Sequence, residues 1–341
     1  MRSLAFFRPV GSTTAAASLP RADLLFDPGR FPSEGAWAFC RFTSDEVPAV
    51  RMGFQKGGFN IGAAAATPDP SLLQLHLEVM TSEGALLWLP TGKYPARLLE
   101  SDPHSHDMRL RQGDRDLARI SGWPEMKWSF QSDDAEIEVD LTTTVSAVSV
   151  LPDCILPHCV FAMWESMGTT RGMVRFGARR VPVEGAMFFD HPRVLHRSSP
   201  ASPRAWYLYT TMAFDDGSGI FGYQSPLGYY CFGFHIDREG NGRFLPRARL
   251  DALETDSDNL PRRWRLSWQD DRLDIEAEIE VRDIGMSRSW GSARAPQSRK
   301  DFIIFPLVLD GHARITEGAH ATRVMRGRGL AEYFNADLWK G

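Results

Sequence analysis

The sequence predicts an all-β protein. Apolar and polar residues alternate with a period of two in many segments, which is the pattern of half-buried strands. The 29 glycines and 22 prolines are scattered and cut the chain into short elements. Similar segments also recur in the same order in both halves of the chain. These observations favour barrels or sandwiches, and the length of 341 residues favours two domains.

The internal repeat consists of three pairs of similar segments. In chain order the pairs are Trp37–Phe42 with Trp206–Thr211, Trp128–Leu141 with Trp268–Val281, and Glu184–Asp190 with Arg326–Glu332. Because the order is the same in both halves, the repeat predicts two similar β modules in tandem. A seam between two such modules is a favoured place for a ligand.

Two segments show the strand pattern most clearly. Ala135–Leu141 and Leu273–Val281 each place apolar residues on one face and acidic residues on the other. A row of carboxylates could also hold a metal ion, but strict alternation is typical of a sheet with one solvated face. We therefore predict one-sided antiparallel strands. Turn signals at Asp215–Gly219, Arg238–Gly242 and Leu309–His312 are expected to separate such strands.

Helices are expected to be few and short. Pro68–Met80 is the best candidate for a helix, and Leu330–Trp339 could form a short final one. The polar, proline-containing stretch near 192–205 is interpreted as a linker. We expect a loose N-terminal arm over 1–25. The two β domains are then predicted to cover 26–195 and 196–341.

Bulk composition excludes several classes of protein. The net charge of −4 gives no reason to expect binding to nucleic acid or to an anionic membrane. No segment approaches the roughly 20 apolar residues that a membrane helix needs, and Arg8 and Pro9 interrupt the apolar N-terminal run. We expect a cytoplasmic protein without stable membrane insertion. The four cysteines are expected to be buried thiols: Cys40, Cys154, Cys159 and Cys231.

Motifs for nucleotides and metals are weak or absent. There is no Walker A sequence, and Gly327–Glu332 lacks the third glycine of a dinucleotide loop. His104 with His106, and Cys154 with Cys159, each lack a second pair of metal ligands. We therefore predict neither a cofactor nor a metal.

One acidic residue lies in unusually apolar surroundings. Asp190 and His191 follow Phe188 and Phe189. A carboxyl group that is desolvated by phenylalanine side chains could keep its proton and act as a general acid, for example on an alkene. The alternative is that Asp190 is a strand-end residue that caps a turn before Pro192.

This segment resembles part of the tandem lipocalin-like family that includes carotenoid hydratase, kievitone hydratase and fungal Diels–Alderases. The family's Gly-x-x-x-x-Asp-His signature is similar to Gly185–His191, its Trp-Tyr strand to Trp206–Tyr207, and its final Gly-x-Gly-x-x-Glu strand to Gly327–Glu332. Hydratases of the family continue Asp-His-Asn-Trp-Gly, whereas this chain reads Asp190–Val194, and its Trp290–Gly291 stands elsewhere. This departure argues against hydration more than against the fold.

The resemblance implies two tandem lipocalin-like antiparallel β-barrel or sandwich domains and a cavity for a hydrophobic small molecule. Aromatic residues of the strand segments are the candidate substrate-binding residues. These residues are Trp37, Trp128, Trp164, Phe188, Trp206, Tyr209 and Trp290. Because successive side chains of a strand alternate between its faces, only one of Trp206 and Tyr207 can face the ligand.

The leading hypothesis is a cofactor-independent cyclase of secondary metabolism that promotes a [4+2] ring closure on a polyketide or terpenoid intermediate. A shaped apolar cavity would align the reacting atoms, and hydrogen-bond donors would polarise a carbonyl. The candidate catalytic residues are Asp190, His191, Arg193 and Tyr207. The alternatives are a hydratase or dehydratase of an isoprenoid alkene, with Asp190 as general acid positioned by His191, and a non-enzymatic carrier. The oligomeric state is left open.

Overall fold

The computed structural model describes sixteen segments of the chain. They are residues 12–15, 33–56, 71–82, 86–88, 92–102, 107–132, 134–156, 159–197, 206–224, 231–246, 248–257, 260–269, 272–284, 288–289, 303–318 and 322–335. They contain two compact units, 1–201 and 202–341, and almost every element in both is an antiparallel strand. The all-β prediction is therefore confirmed.

The first unit is built on one strongly curved sheet. Its strands are β1 (Ser12–Ala15), β2 (Ser33–Phe42), β3 (Ala49–Lys56), β4 (Leu72–Met80), β5 (Leu86–Trp88), β6 (Gly92–Pro95), β7 (Leu99–Asp102), β8 (Asp107–Gln112), β9 (Arg115–Ser121), β10 (Glu125–Gln131), β11 (Ile137–Leu156), β12 (Cys159–Phe176) and β13 (Arg179–Arg197). They pair in the order β5-β4-β3-β2-β13-β12-β11-β10-β9-β8-β7, with β6 on β4 and β1 on β11. One face of this sheet closes around a single hydrophobic core to which β2–β4 and β8–β13 contribute.

The second unit is a smaller sheet of the same kind. Its strands are β14 (Trp206–Phe214), β15 (Gly219–Gln224), β16 (Cys231–Ile236), β17 (Gly242–Pro246), β18 (Arg249–Thr255), β19 (Pro261–Gln269), β20 (Leu273–Ile284), β21 (Arg288–Ser289), β22 (Ile303–Glu317) and β23 (Arg323–Asn335). They pair in the order β17-β16-β15-β14-β23-β22-β20-β19-β18, with β21 on β22. Its inner face also encloses one core.

The predicted repeat is visible as a shared strand order. The first unit contains β4-β3-β2-β13-β12-β11-β10-β9, and the second contains β16-β15-β14-β23-β22-β20-β19-β18. Each half therefore begins with a meander, and its last long strand returns to pair with its first. The strand order supports the interpretation of two similar β modules.

The pairing register corrects the residue-by-residue alignment of the repeat. Gly185 pairs with Phe42 in the first unit, as Gly327 pairs with Phe214 in the second. Trp37 therefore corresponds to Tyr209, three positions away from the predicted Trp206. Because strand side chains alternate, a shift by an odd number of residues exchanges the two faces of the sheet.

One-sided strands form where the alternation predicts them. Along β20 the side chains alternate between buried and more exposed from Leu273 to Glu280. On the outer side of this sheet, the Arg265 guanidinium donates a 2.6 Å hydrogen bond to Glu278 and holds the pKa of that carboxyl below its usual value. The acidic rows are thus solvated faces, as predicted, and the structure adds arginine partners to them.

Both predicted helices were wrong where the structure describes them. Leu72–Met80 of the first candidate is β4, because its apolar residues recur every second position rather than every third or fourth. Residues 330–335 of the second continue β23, and 336–339 lie outside the described residues. Helical structure in the described chain is limited to one 3-10 turn, Ala96–Leu98.

The turn predictions are confirmed at two of three places. Asp215–Gly219 joins β14 to β15, and Arg238–Gly242 joins β16 to β17. Leu309–His312 was predicted as a turn but lies inside β22, where Gly311 passes close to the backbone of β20. A side chain on Gly311 would collide with the Glu278 carbonyl, so this glycine serves close strand packing rather than a turn.

Three further predictions concern the chain ends, membranes and cysteines. Ser12–Ala15 of the expected N-terminal arm pairs with β11, and β13 continues to Arg197, inside the expected linker. No helix in the described part of the chain is long and apolar enough to cross a membrane. Cys40 is a buried thiol, and burial raises the pKa of this group well above its usual range. The side chains of the other three cysteines lie outside the described set.

Candidate functional site

Asp190 and His191 lie on opposite faces of the first sheet. His191 follows Phe189 on the inner face, which carries the hydrophobic core. Asp190 pairs with Trp37 and Glu165 on the outer face. Alternation along β13 therefore separates the two residues. The hypothesis that His191 positions Asp190 is corrected by this geometry.

On the inner face His191 meets a carboxylate. The ring nitrogen Nε2 of His191 lies 2.8 Å from Oε1 of Glu34, and both side chains are 0% exposed. Glu34 lies on β2, two positions before Ala36 on the same face, and β2 is the direct neighbour of β13. Regular antiparallel pairing thus brings together two residues that are far apart in the chain.

A third ionisable residue shares this face. Lys56 pairs directly with Glu34 in the β2–β3 ladder and is 2% exposed. Cβ atoms of directly paired residues lie about 5 Å apart in antiparallel sheets. A lysine opposite a buried carboxylate offsets part of the cost of removing that charge from water. A polar cluster of Glu34, Lys56 and His191 therefore lies on the inner face of β2, β3 and β13, within an apolar interior.

Aromatic rings connect this cluster to the rest of the core. The Phe189 ring lies 5.9 Å from the His191 ring and 5.5 Å from the Trp128 ring, in edge-on geometry. Trp128 also stacks on Phe130, which in turn contacts Phe54. The polar cluster is thus bordered by aromatic side chains, as a site for a hydrophobic ligand requires.

Two hydrogen-bond donors of this interior have no protein partner among the described residues. They are the indole Nε1 of Trp128 and the hydroxyl Oγ of Ser166, and both side chains are buried. Ser166 pairs with Phe189 in the β12–β13 ladder, so both donors adjoin the same phenylalanine. Most buried polar groups in proteins are hydrogen-bonded, which marks these two as candidates for ligand contact.

The outer face of the same sheet carries a second buried group of side chains. The Trp37 ring lies 4.5 Å from the His76 ring and 4.7 Å from the Arg51 guanidinium. Arg51 donates a 3.2 Å hydrogen bond to Glu78. Gly53 makes this arrangement possible, because a side chain there would collide with the Trp37 ring and the Ala36 carbonyl.

Asp190 and Phe188 belong to this outer group. Phe188 is buried and pairs with Phe39, while Asp190 is partly exposed and pairs with Glu165, which is buried. Of the predicted site residues, the structure thus brings Trp37, Phe188 and Asp190 together on the outer face. It places His191 and Trp128 together on the inner face.

The other predicted site residues are placed less completely. Trp164 pairs with His191 and Arg193 pairs with Glu34, but their side chains lie outside the described set. The same holds for Trp206 and Tyr207 of β14, and Trp290 lies outside the described residues altogether. Tyr209 is buried in the second unit, pairs with Glu332 and contacts the Tyr223 ring at 6.2 Å.

The second unit provides an internal comparison. By the equivalent pairing of β13 and β23, Tyr333 stands where His191 does, and the position of Trp206 corresponds to Glu34. The inner histidine of this unit, His235, lies on β16 instead. Burial lowers the pKa of His235 to about 4, so its imidazole is neutral at pH 7. The histidine–carboxylate pair is thus a feature of the first unit within the described chain.

The described residues also form an open groove, separate from the two buried groups. A solvent-open groove of about 750 Å³ is lined by Thr43, Arg171 and Glu184 at the outer side of β11–β13. It does not include the His191 cluster. No three His, Cys, Asp or Glu side chains of the described residues are close enough to hold a metal ion.

Sequence reasoning missed Glu34, Lys56 and Ser166. Glu34 stands in a strand rich in apolar residues, and its alternation with Ala36 and Ala38 could have indicated that a carboxylate faces the core. Lys56 similarly alternates with Met52 and Phe54. A charged residue in phase with a buried row is the signal that would have found both.

The comparisons with known proteins agree with this architecture. No family model and no curated protein matches the sequence. The chain is similar to the structure of a proposed AttH from Nitrosomonas europaea, with a TM-score of 0.62 and 12% identity over 92% of this chain and 95% of that chain. It is also similar to kievitone hydratase from Nectria haematococca, with a TM-score of 0.52 and 9% identity over 91% of this chain and 90% of that chain. The predicted resemblance in fold is confirmed.

Proposed function

We propose that the protein is an enzyme that adds water to, or removes water from, a hydrophobic small molecule. His191 is the proton-transferring group, and Glu34 is the residue that positions it. The observation that carries this proposal is the fully buried contact of 2.8 Å between His191 and Glu34 in an aromatic interior. Asp190, which the sequence suggests as the general acid, faces the other side of the sheet, so the proposal gives proton transfer to His191.

The cost of burying this pair supports a functional role for it. An ionisable pair inside a core is costly, and apolar residues of the same volume often give equal or greater stability. A carboxylate can only accept hydrogen bonds, so the nitrogen that faces Glu34 carries a proton. The other ring nitrogen, Nδ1, then exchanges a proton with the substrate, as in other histidine–carboxylate pairs.

A cyclase of secondary metabolism is the second candidate. Ring closure by a [4+2] reaction needs no proton transfer, only an apolar wall and donors that polarise the substrate. The indole of Trp128 and the hydroxyl of Ser166 favour this candidate, since neither has a protein partner in the described chain. Such a reaction would not use the buried pair of His191 and Glu34. The similarity in fold to kievitone hydratase also supports chemistry with water. A carrier would need no polar groups that converge on its ligand.

The proposed function can be tested by following the addition of water to hydrophobic unsaturated compounds and the loss of water from hydroxylated ones. The purified protein is incubated with them in water labelled with heavy oxygen, and products are followed by mass spectrometry. We expect a product that differs by one water, and the label should appear in it when water is added to an unsaturated compound. His191→Gln should abolish it, and Asp190→Asn should not. A new product with the mass of its precursor would favour the cyclase, and equal activity of His191→Gln would overturn the proposal.

A further inference from the structure

Trp128 and Ser166 each place a hydrogen-bond donor in the interior of the first unit. Trp128 Nε1 can only donate a hydrogen bond, and the Ser166 hydroxyl can donate one. Neither has a partner among the described residues, although both side chains are at most 1% exposed. A buried donor that is left unpaired is destabilising, because it has lost its hydrogen bonds to water. An acceptor supplied by a ligand would remove this cost.

The position of the donors relates them to the proposed catalytic pair. Phe189 pairs with Ser166, contacts Trp128 at 5.5 Å and contacts His191 at 5.9 Å. The Trp128 ring, the imidazole and the strand position of Ser166 therefore all adjoin Phe189 on the inner face. A substrate that lies against the Phe189 ring would present one atom to the donors and a neighbouring carbon to His191.

We propose that the substrate carries a carbonyl group whose oxygen accepts hydrogen bonds from Trp128 and Ser166. This inference rests on the proposed function and names its substrate class, a β-hydroxy ketone or the corresponding conjugated enone. A carbonyl oxygen is an acceptor with two lone pairs, so it can receive both donors at once. An isolated alkene has no such acceptor and would leave both donors buried and unpaired.

The carbonyl also makes the chemistry of water elimination feasible for a histidine. The neutral imidazole of His191 removes the proton from the carbon next to the carbonyl. The electron pair of that C–H bond forms a double bond to the carbonyl carbon, and the π pair of the carbonyl moves onto its oxygen. Trp128 and Ser166 stabilise the resulting enolate. When the carbonyl re-forms, the carbon–carbon double bond forms and the bond to the β-hydroxyl breaks. The imidazolium returns its proton to the departing hydroxide, which leaves as water. Hydration is the reverse.

The second unit supplies matched controls for this mechanism. Trp264 and Thr210 are also buried on an inner face, and their indole nitrogen and hydroxyl also have no partner among the described residues. Trp264→Phe and Thr210→Val therefore remove the same kinds of donor from the other core. Any general effect of such substitutions on folding should appear in both pairs of variants.

The test uses benzylideneacetone as the enone and measures both binding and turnover. The infrared stretch of its isotope-labelled carbonyl should lie lower when it is bound to the protein than in an apolar solvent. Trp128→Phe and Ser166→Ala should each reverse part of this shift and together nearly all of it. Each should also lower kcat for hydration about 10- to 100-fold, since the removal of one enolate donor has effects of that order. Trp264→Phe and Thr210→Val should change neither reading.

The outcomes separate this inference from the proposed function. If His191→Gln is inactive while Trp128→Phe and Ser166→Ala keep full activity and the full infrared shift, the carbonyl assignment fails and the proton-transfer role stands. If His191→Gln hydrates the enone normally but the shift depends on Trp128 and Ser166, the proposed function fails and the carbonyl site stands. A saturating enone that shows no bound carbonyl signal overturns the inference.

Discussion

Nε2 of His191 lies 2.8 Å from Oε1 of Glu34, although the two residues are 157 positions apart in the chain. The contact depends on the direct pairing of β13 with β2, which joins the last and first long strands of the first unit. The second unit has the same pairing of β23 with β14 but carries Tyr333 at the equivalent of His191. Among the described residues, both units therefore share this strand pairing, and the first unit has the histidine–carboxylate contact.

Glu34→Gln should reduce turnover with little change in KM. The amide keeps the volume of the side chain but removes the negative charge that stabilises the imidazolium form of His191. We expect kcat to fall by about 100-fold or more, since proton transfer by a positioned side chain contributes about 100- to 10,000-fold. The acid limb of the pH–rate profile should also move to lower pH.

Glu165→Gln is the matched control for this prediction. Glu165 is equally buried but lies opposite Asp190 on the outer face. It should change neither kcat nor the pH profile. Glu34→Asp should recover part of the activity, because it restores the charge at a longer distance. Equal losses in Glu34→Gln and Glu165→Gln would show that burial alone, and not contact with His191, explains the effect.

The sequence predicts the fold well because strand alternation and turn residues are local signals. The one-sided pattern of Leu273–Val281 and the hairpin at Asp215–Gly219 needed only neighbouring residues. The β4 segment was mistaken for a helix because a run as rich in leucine as Leu72–Leu77 also suits a helix when its period is not counted.

The site was predicted only in part, because its contacts are not local. His191 was found through a short motif, but its partner Glu34 lies on another strand and is recognised only once the register is known. The motif also suggested that Asp190 and His191 act together, whereas alternation places adjacent strand residues on opposite faces. Trp37 and Trp128 were both expected at one ligand site, but the sheet separates them in the same way.

Gly53→Ala should destabilise the first unit. The new Cβ would collide with the Ala36 carbonyl oxygen and would lie 2.9 Å from Cε3 of Trp37. Because backbone is one of the obstacles, we expect a loss of about 2 kcal/mol in the free energy of unfolding, measured by urea denaturation. Gly222→Ala is the control, since its Cβ would first meet Cδ1 of Leu266 at 3.3 Å, and this side chain can move. A larger loss at Gly222 would contradict the packing argument.

Arg51→Met should show how much the buried ion pair with Glu78 contributes to the free energy of unfolding. Both side chains are almost fully buried, so the substitution leaves a carboxylate without its 3.2 Å partner. We expect a loss of about 3 kcal/mol in the free energy of unfolding. The double variant with Glu78→Leu should recover most of this loss, because both charges of the pair are then removed together. Asp251→Asn, which breaks the exposed pair with Arg249, should change the stability by less than about 1 kcal/mol.

His235 should make the stability of the second unit depend on pH. Burial lowers the pKa of this histidine from 6.5 to about 4, so the folded form binds its proton less readily than the unfolded chain. As the pH falls from 6.5 to 4, the unfolded chain gains a proton first, and the free energy of unfolding decreases by up to about 3 kcal/mol. The nearby Glu317 and Asp216 favour the protonated form, and Arg323 opposes it, so these charges offset only part of the effect of burial on the pKa.

Urea denaturation at pH 7 and pH 4 should therefore show a smaller loss of stability in His235→Gln than in the wild type. His312→Gln, at an exposed position of β22, should keep the wild-type dependence. An unchanged loss in His235→Gln would show that other groups cause the acid sensitivity.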